Sequence, residues 1–300
     1  MFQPDMNNLP PIPDSLAASA AFLTPHEREQ LWRAAVIMAD SRGLLMRVTS
    51  LFGRRIEALR ARLAQTGGRL GGEAWADLTR RAQDSVEETL WRSYNLATFG
   101  LSSTARPPRP QGNRAHRLAT AVSGAASGFI GLPGVVFDIP FTTAAILRSI
   151  AQVARDSGED LATEETRRAC LEVLLFGGPG GADDESEAGY WAARLGLSHL
   201  SLNLLIKSAA GRFGIVLSEK LLAQAVPVAG ALTGSALNYG FTRYYQNMAQ
   251  VQFCLRALER RTGEPAAIQQ AFTAMLREAR ARHRITRRPA PVADAAFLPR

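Results

Sequence analysis

The sequence predicts an all-α protein: a multi-helix bundle with two glycine-rich apolar helical segments, packed either in its core or at a membrane. Three observations predict this. Apolar residues recur at spacings of three and four along most of the chain, the period of an amphipathic helix. No run alternates apolar and polar side chains as a half-buried strand does. Hydrophobic residues make up 46% of the 300 positions and charged residues 21%, which excludes a disordered or fibrous chain and suits one large domain or two modest ones.

Thr24-Pro25-His26-Glu27 has the form of a capping box with proline at the first helical position, so a helix is expected from there to about Gly43. A second helix carries Leu44, Val48, Leu51, Phe52, Ile56, Leu59 and Leu63 on one face and arginines elsewhere. Gly67-Gly68 and Gly71-Gly72 bracket a turn, and Trp75, Leu78, Ala82, Val86, Leu90 and Tyr94 mark a third helix. The Gly- and Pro-rich stretch 101–113 reads as a linker. Helices are then expected after Asp138-Ile139-Pro140, from Thr163 to Phe176, from Trp191 to Gly211, from Val216 to Ala225, from Arg243 to Arg261 and from Pro265 to His283. The resulting division is a disordered N-terminus (1–24), an N-terminal helical region (25–100), the linker (101–113), a helical core (114–283) and a disordered tail (284–300).

Thirty-five Lys and Arg oppose 27 Asp and Glu, a net charge of +8. All but Lys207 and Lys220 of the basic residues are arginine. The charge divides unevenly: +7 over residues 26–117, −3 over 118–254 and +6 over 255–300. Basic flanks thus surround an apolar, slightly acidic middle. That pattern suits either a solvated arginine-rich surface or contact with phosphate. Arg47, Arg54, Arg55 and Arg62 are the candidate membrane or phosphate contacts. Nothing resembles a recognition helix or zinc finger, so no specific nucleic acid is expected.

The two uncharged blocks are residues 118–137 and 221–242. Both have the length of a membrane span, but alanine, glycine, serine and threonine dilute their apolar content. Gly124 with Gly128, and Gly230 with Gly234, give each block a small-xxx-small spacing that lets helix backbones approach closely. Buried core helices and membrane insertion both fit. If both blocks spanned, the arginine-rich flanks would share one side, as the positive-inside rule requires. Phe137–Thr142 and Leu237–Thr242 echo each other at a shift of 100, with Asp138 opposite Asn238. Asp138, Pro140 and Asn238 are the candidate functional residues. Asp138 would cap a helix starting at Pro140, or else stand as a costly carboxylate in apolar surroundings.

Familiar catalytic patterns are missing or incomplete. His26-Glu27-Arg28-Glu29-Gln30 starts like a zinc-binding HExxH but ends in Gln30. Gly196-Leu197-Ser198-His199 lacks the closing glycine of a nucleophile elbow. Gly177–Gly181 has no following Lys-Ser/Thr to hold phosphate, and the acids 183–187 match no calcium loop. No metal and no cofactor is expected. Cys170 and Cys254 read as buried thiols of a reducing compartment, and the chain opens with no secretory signal pattern, so a cytoplasmic location is expected.

The run GLPGVVFDIPFTTAAILRSIAQVARDSGEDLATEETRRACLEVLLFG (131–177) resembles the central block of the EcsC protein family: a glycine-rich apolar stretch, an Asp-x-Pro step, a helix, then the turn Gly158-Glu159-Asp160 before an acid-led helix. VPVAGALTGSALNYGFTRYYQNMAQVQFCLRALERR (226–261) resembles its C-terminal block, with Pro227, Asn238 and a closing helix bearing Arg256 and Arg260. The resemblance covers about 115–262, with looser agreement over 25–100. It implies a bacterial accessory protein tied to ABC-transporter and secretion physiology. Such a protein would act at the inner face of the cell membrane, peripheral or integral, with an anionic membrane surface or a membrane protein as partner. It supplies no catalytic residues. The alternatives are a hydrolase or peptidase with a site assembled from distant helices, and a soluble protein-binding scaffold.

Overall fold

A computed structural model describes residues 10–41, 70–98, 132–176, 199–224 and 229–287, together with Trp191 and Arg194. Every regular element among them is a helix, and no strand occurs among the described residues. In chain order these are α1 (Asp14–Ser19), α2 (residues 25–41), α3 (Leu70–Thr98), α4 (Leu132–Asp156), α5 (Glu164–Phe176), α6 (Leu202–Gln224), α7 (Ala229–Thr262) and α8 (Pro265–Arg287).

Local chemistry sets most of the boundaries. At the start of α2 the Glu27 amide donates to the Thr24 hydroxyl at 3.3 Å, and the Thr24 amide donates back to the Glu27 carboxylate. This is the expected capping box. The histidine beside it, His26, pairs with Gln30 at 3.0 Å, and Glu27, besides capping the helix, forms an ion pair with Arg261. Residues 10–24, expected to be disordered, are tied down. They contain α1 and two buried side chains, Ala20 and Leu23, and the Trp32 indole donates to the Pro10 carbonyl at 2.7 Å.

Three boundaries differ from those expected. Gly71 and Gly72 lie inside α3 rather than in a turn. α4 begins at Leu132, so Asp138 sits within the helix and not at its cap, and Pro140 is an interior proline. The break expected between Gly211 and Val216 falls instead at residues 199–201, where the Ser201 carbonyl accepts the Leu205 amide at 2.9 Å and α6 begins. Gly214 stays helical because it is a contact surface: a Cβ there would lie 2.9 Å from the Gln83 Cα of α3.

α7 is the central strut, packed against α4, α5, α6 and α8, while α3 lies across α4 and α6. Among the described residues, Trp32, Phe213, Tyr245, Phe253 and Phe272 are the largest side chains fully withdrawn from solvent, each worth about 1.5–3 kcal/mol on burial. Cys170 and Cys254 are free thiols.

The helical hairpins α4–α5 and α7–α8 turn in the same way. Both contain Arg-x-Ser/Thr-Gly-Glu, at 155–159 and 260–264. Gly158 and Gly263 have φ of 85° and 70°, the left-handed conformation that ends a helix and that glycine adopts without steric cost. Ser157 and Thr262 each donate a hydroxyl to the carbonyl four residues back, at 2.9 Å in both cases. The weak sequence echo at a shift of 100 falls on α4 and α7, two helices that pack together, and its last residues, Thr142 and Thr242, are both fully buried.

Candidate functional site

The family-like turn Gly158-Glu159-Asp160 and the family-like arginines of α7 meet in space. Gly158 reverses the chain and delivers Glu159 inward, where its side chain is 2% exposed. Arg256 donates from Nε to Glu159 Oε1 at 3.1 Å, and Arg260 donates to Oε2 at 2.9 Å. The Thr166 hydroxyl adds a third donor to Oε2 at 3.3 Å. Arg256 also reaches Glu165, on the rim, at 2.7 Å. The positions on α5 (165, 168, 172) and on α7 (252, 256, 259) recur at helical spacing, so each set forms one facing stripe.

A buried polar pair lies deeper in the same interface. Gln252 donates to the Glu172 carboxylate at 3.1 Å, and both residues are buried. Burial pushes the Glu172 carboxyl above its usual range, against the pull of Arg256, Arg194 and Arg168 and of the Gln252 hydrogen bond. Burial would depress the Arg256 guanidinium, but the hydrogen bonds and charge of Glu159 and Glu165 outweigh it and raise it. Arg194 makes a two-pronged pair with Glu259 at 2.8 and 2.7 Å, and its guanidinium lies 5.4 Å from the Trp191 ring centre.

Chemically, this cluster fixes architecture. Glu159 already accepts from three side chains, and Arg194 and Glu259 satisfy one another. Glu172 is the buried carboxylate whose protonated form burial favours. A separate cavity of about 510 Å³ is lined by Ala266, Gln269, Gln270, Thr273, Ala274 and Arg277 of α8. It adjoins Trp191, whose indole donates to the Thr273 hydroxyl at 3.1 Å.

Among the described residues, no sequence candidate lines that cavity. Asp138 and Pro140 lie in the first half of α4, and Asn238, Gly230 and Gly234 in the first half of α7. Arg47, Arg54, Arg55, Arg62, Gly124 and Gly128 lie outside the described residues. Within this cluster, Glu159, Arg256 and Arg260 are visible in the sequence only through the family-like turn and closing helix. Glu165 shows only as part of the acid-led start of α5, and Glu172, Gln252, Arg194 and Glu259 give no local signal. Among the described residues no group of three or more His, Cys, Asp or Glu gathers as a metal site requires, and no helix is long and apolar enough to cross a membrane.

Residues 73–258 match the EcsC protein family. The match starts within α3 and ends in the last turns of α7, so it encloses Glu159, Glu172, Gln252 and Arg256. No curated protein matches the chain, and no solved structure does.

Proposed function

The chain belongs to the EcsC protein family, and from that premise we propose that it is a non-catalytic helical accessory protein that docks on a membrane surface by one end of its bundle. There it would serve membrane machinery of the ABC-transporter and secretion kind that the family resemblance implies.

The observation that carries this reading is the polarity of the bundle. The Glu159 pairing joins the C-terminal ends of α4 and α7, and the two helices pack together, so they run in the same direction. Their N-terminal halves therefore point toward the other end. Over that end α7 carries no charge from Ala229 to Thr242, and α4 carries only Asp138 before Arg148. Phe141, in this part of α4, is 47% exposed. A bundle with ion pairs at one end, and at the other an α7 segment without charge, an α4 segment with Asp138 as its one charge, and an exposed phenylalanine, has the asymmetry of a protein that rests in the interfacial layer.

The test uses an environment-sensitive fluorophore on the full chain. Attached through Phe141→Cys, it is expected to shift to the blue on adding lipid vesicles. Attached through Glu165→Cys, at the opposite end, it is expected to stay unchanged. Equal shifts, or none at Phe141→Cys, would overturn the docking orientation.

A further inference from the structure

Ahead of α1 the chain reads Pro10-Pro11-Ile12-Pro13. Proline fixes its own φ at about −65° and holds the residue before it extended. Pro13 has φ −59° and ψ 142°, the polyproline II conformation. That helix repeats every three residues, so Pro10 and Pro13 share a face. Both are partly buried, while Pro11 is exposed. The segment lies as a strap over one place. The Trp32 indole donates to the Pro10 carbonyl at 2.7 Å. The Arg282 guanidinium, 5.5 Å from the Trp32 ring centre, donates to the Pro11 carbonyl at 3.2 Å. Beneath the strap, Trp32 is 1% exposed.

Both hydrogen bonds are made to backbone carbonyls, so the seat fits the path of a polyproline II backbone rather than the side chains of this one segment. Aromatic grooves take proline-rich peptides in this way, because a preformed segment loses little entropy on docking. The seat is also fixed without the strap: Trp32 belongs to α2, and Glu278 accepts from Arg282 at 2.8 Å. The strap's own ties are slight. α1, which follows it, has six residues and no side-chain hydrogen bond at its start, and a helix that short has little stability of its own. Arg28 reaches the Ala17 carbonyl at 3.4 Å, and the buried Ala20 and Leu23 anchor the far end. The strap can therefore lift about that anchor while α2 stays in place.

We propose that Trp32 and Arg282 form a docking site for a proline-rich segment of a partner protein, and that the chain's own strap fills this site until the partner displaces it. The strap supplies one turn of polyproline II before α1 begins, whereas a longer proline run is not cut off there. A second copy of this chain offers only the same strap and gains no contact by exchanging it. Held in cis, the strap acts at an effective concentration on the order of 1 mM. A peptide that binds the open seat at about 0.1 mM should thus bind the strapped chain roughly tenfold more weakly.

Fluorescence anisotropy with the full chain and a labelled peptide of two tandem Pro-Pro-Ile-Pro units tests this. Replacing Pro10→Gly, Pro11→Gly and Pro13→Gly together restores the chain freedom that proline removes and loosens the strap. That variant is expected to bind the peptide roughly tenfold more tightly than the parent chain. In the same background Trp32→Phe removes the indole donor and Arg282→Met the guanidinium, and each should weaken binding by about fivefold, the worth of one hydrogen bond. Thermal melting checks that every variant is folded, and Arg282→Met decides alone if Trp32→Phe is not. A peptide with alanine for each proline should not bind. Absence of peptide binding to the glycine variant, or equal binding by the parent, would overturn the proposal. So would binding that ignores the substitutions at the seat, or equal binding of the alanine peptide. A parent dimer that forms on concentration and is lost in the glycine variant would put a second copy's strap in the seat and overturn the choice of partner.

Discussion

Arg256 of α7 and Glu159, one residue beyond the Gly158 turn, are joined at 3.1 Å across 97 positions of the sequence. The carboxylate is almost wholly enclosed and the guanidinium side chain is 15% exposed. Removing one partner of such a pair leaves the other as an uncompensated charge.

Glu159→Gln is therefore expected to lower unfolding free energy by about 3 kcal/mol, the lower end of the range for breaking a buried pair, because Glu165 still faces Arg256. Arg260, 49% exposed, should matter far less: Arg260→Gln is expected to cost under about 1 kcal/mol. Urea denaturation of the two variants measures both. A larger loss for Arg260→Gln than for Glu159→Gln would contradict the assignment of the buried carboxylate as the hub.

The raised pKa of Glu172 has a defined pH signature. A carboxyl whose folded pKa exceeds its unfolded value binds more protons in the folded state. Its stabilising contribution is complete below the ordinary glutamate pKa and is lost as pH rises through the raised one. Glu172→Gln, which mimics the protonated form, should flatten this part of the stability–pH curve and leave the low-pH stability near that of the parent. Thermal melting as a function of pH reads the difference between the two curves. Parallel curves would show that Glu172 titrates normally.

Three glycines in regular or turn positions should respond differently to alanine. Gly214→Ala puts a methyl against the α3 backbone at Gln83 and is expected to cost about 1–3 kcal/mol. Gly211, on the same helix, has open space where a Cβ would stand, with nothing within 4 Å, so Gly211→Ala should be neutral or stabilising by up to about 1 kcal/mol. Gly158 also has open space, but its φ of 85° makes alanine strained, at about 1–2 kcal/mol. Chemical denaturation should rank the three in that sense.

Burial pushes the Cys254 thiol up to about 11, and Cys170 is fully enclosed. The thiolate is the reactive form, so a disulfide-exchange reagent near neutral pH should label neither cysteine quickly in the folded protein and both after denaturation. Rapid stoichiometric labelling of the native chain would contradict the packing of α2 on α7, where the Gln30 carbonyl lies 3.7 Å from Cys254 Sγ.

Features fixed within a few residues are legible in the sequence. The Thr24–Glu27 box, the Gly158 turn and the acid-led start of α5 all arise from local hydrogen bonding and backbone strain. Pro140 misleads for a local reason: a proline in the first turn and a proline inside a helix share the same backbone angle, and only the extension back to Leu132 separates them. Gly211 and Gly214 resemble a break because isolated glycine weakens a helix. The close approach of α3, which makes Gly214 useful, is a tertiary fact. The pairing of Glu172 with Gln252 is illegible for a stronger reason, since 80 positions separate them and neither residue type is unusual on a helix.

The separation of Glu159 from its arginines also sets a timetable for the growing chain. Ribosomes add about 5–20 residues per second, so Glu159 waits on the order of 5–20 seconds between its own synthesis and that of Arg256. Throughout that interval the α4–α5 hairpin holds Glu159 and Glu172 with no α7 to receive them, and water must solvate both. A chain that stalls or is cut before α7 is complete keeps two acidic side chains on a face meant for the interior. It would present quality-control proteases with an open hairpin rather than a smaller folded unit.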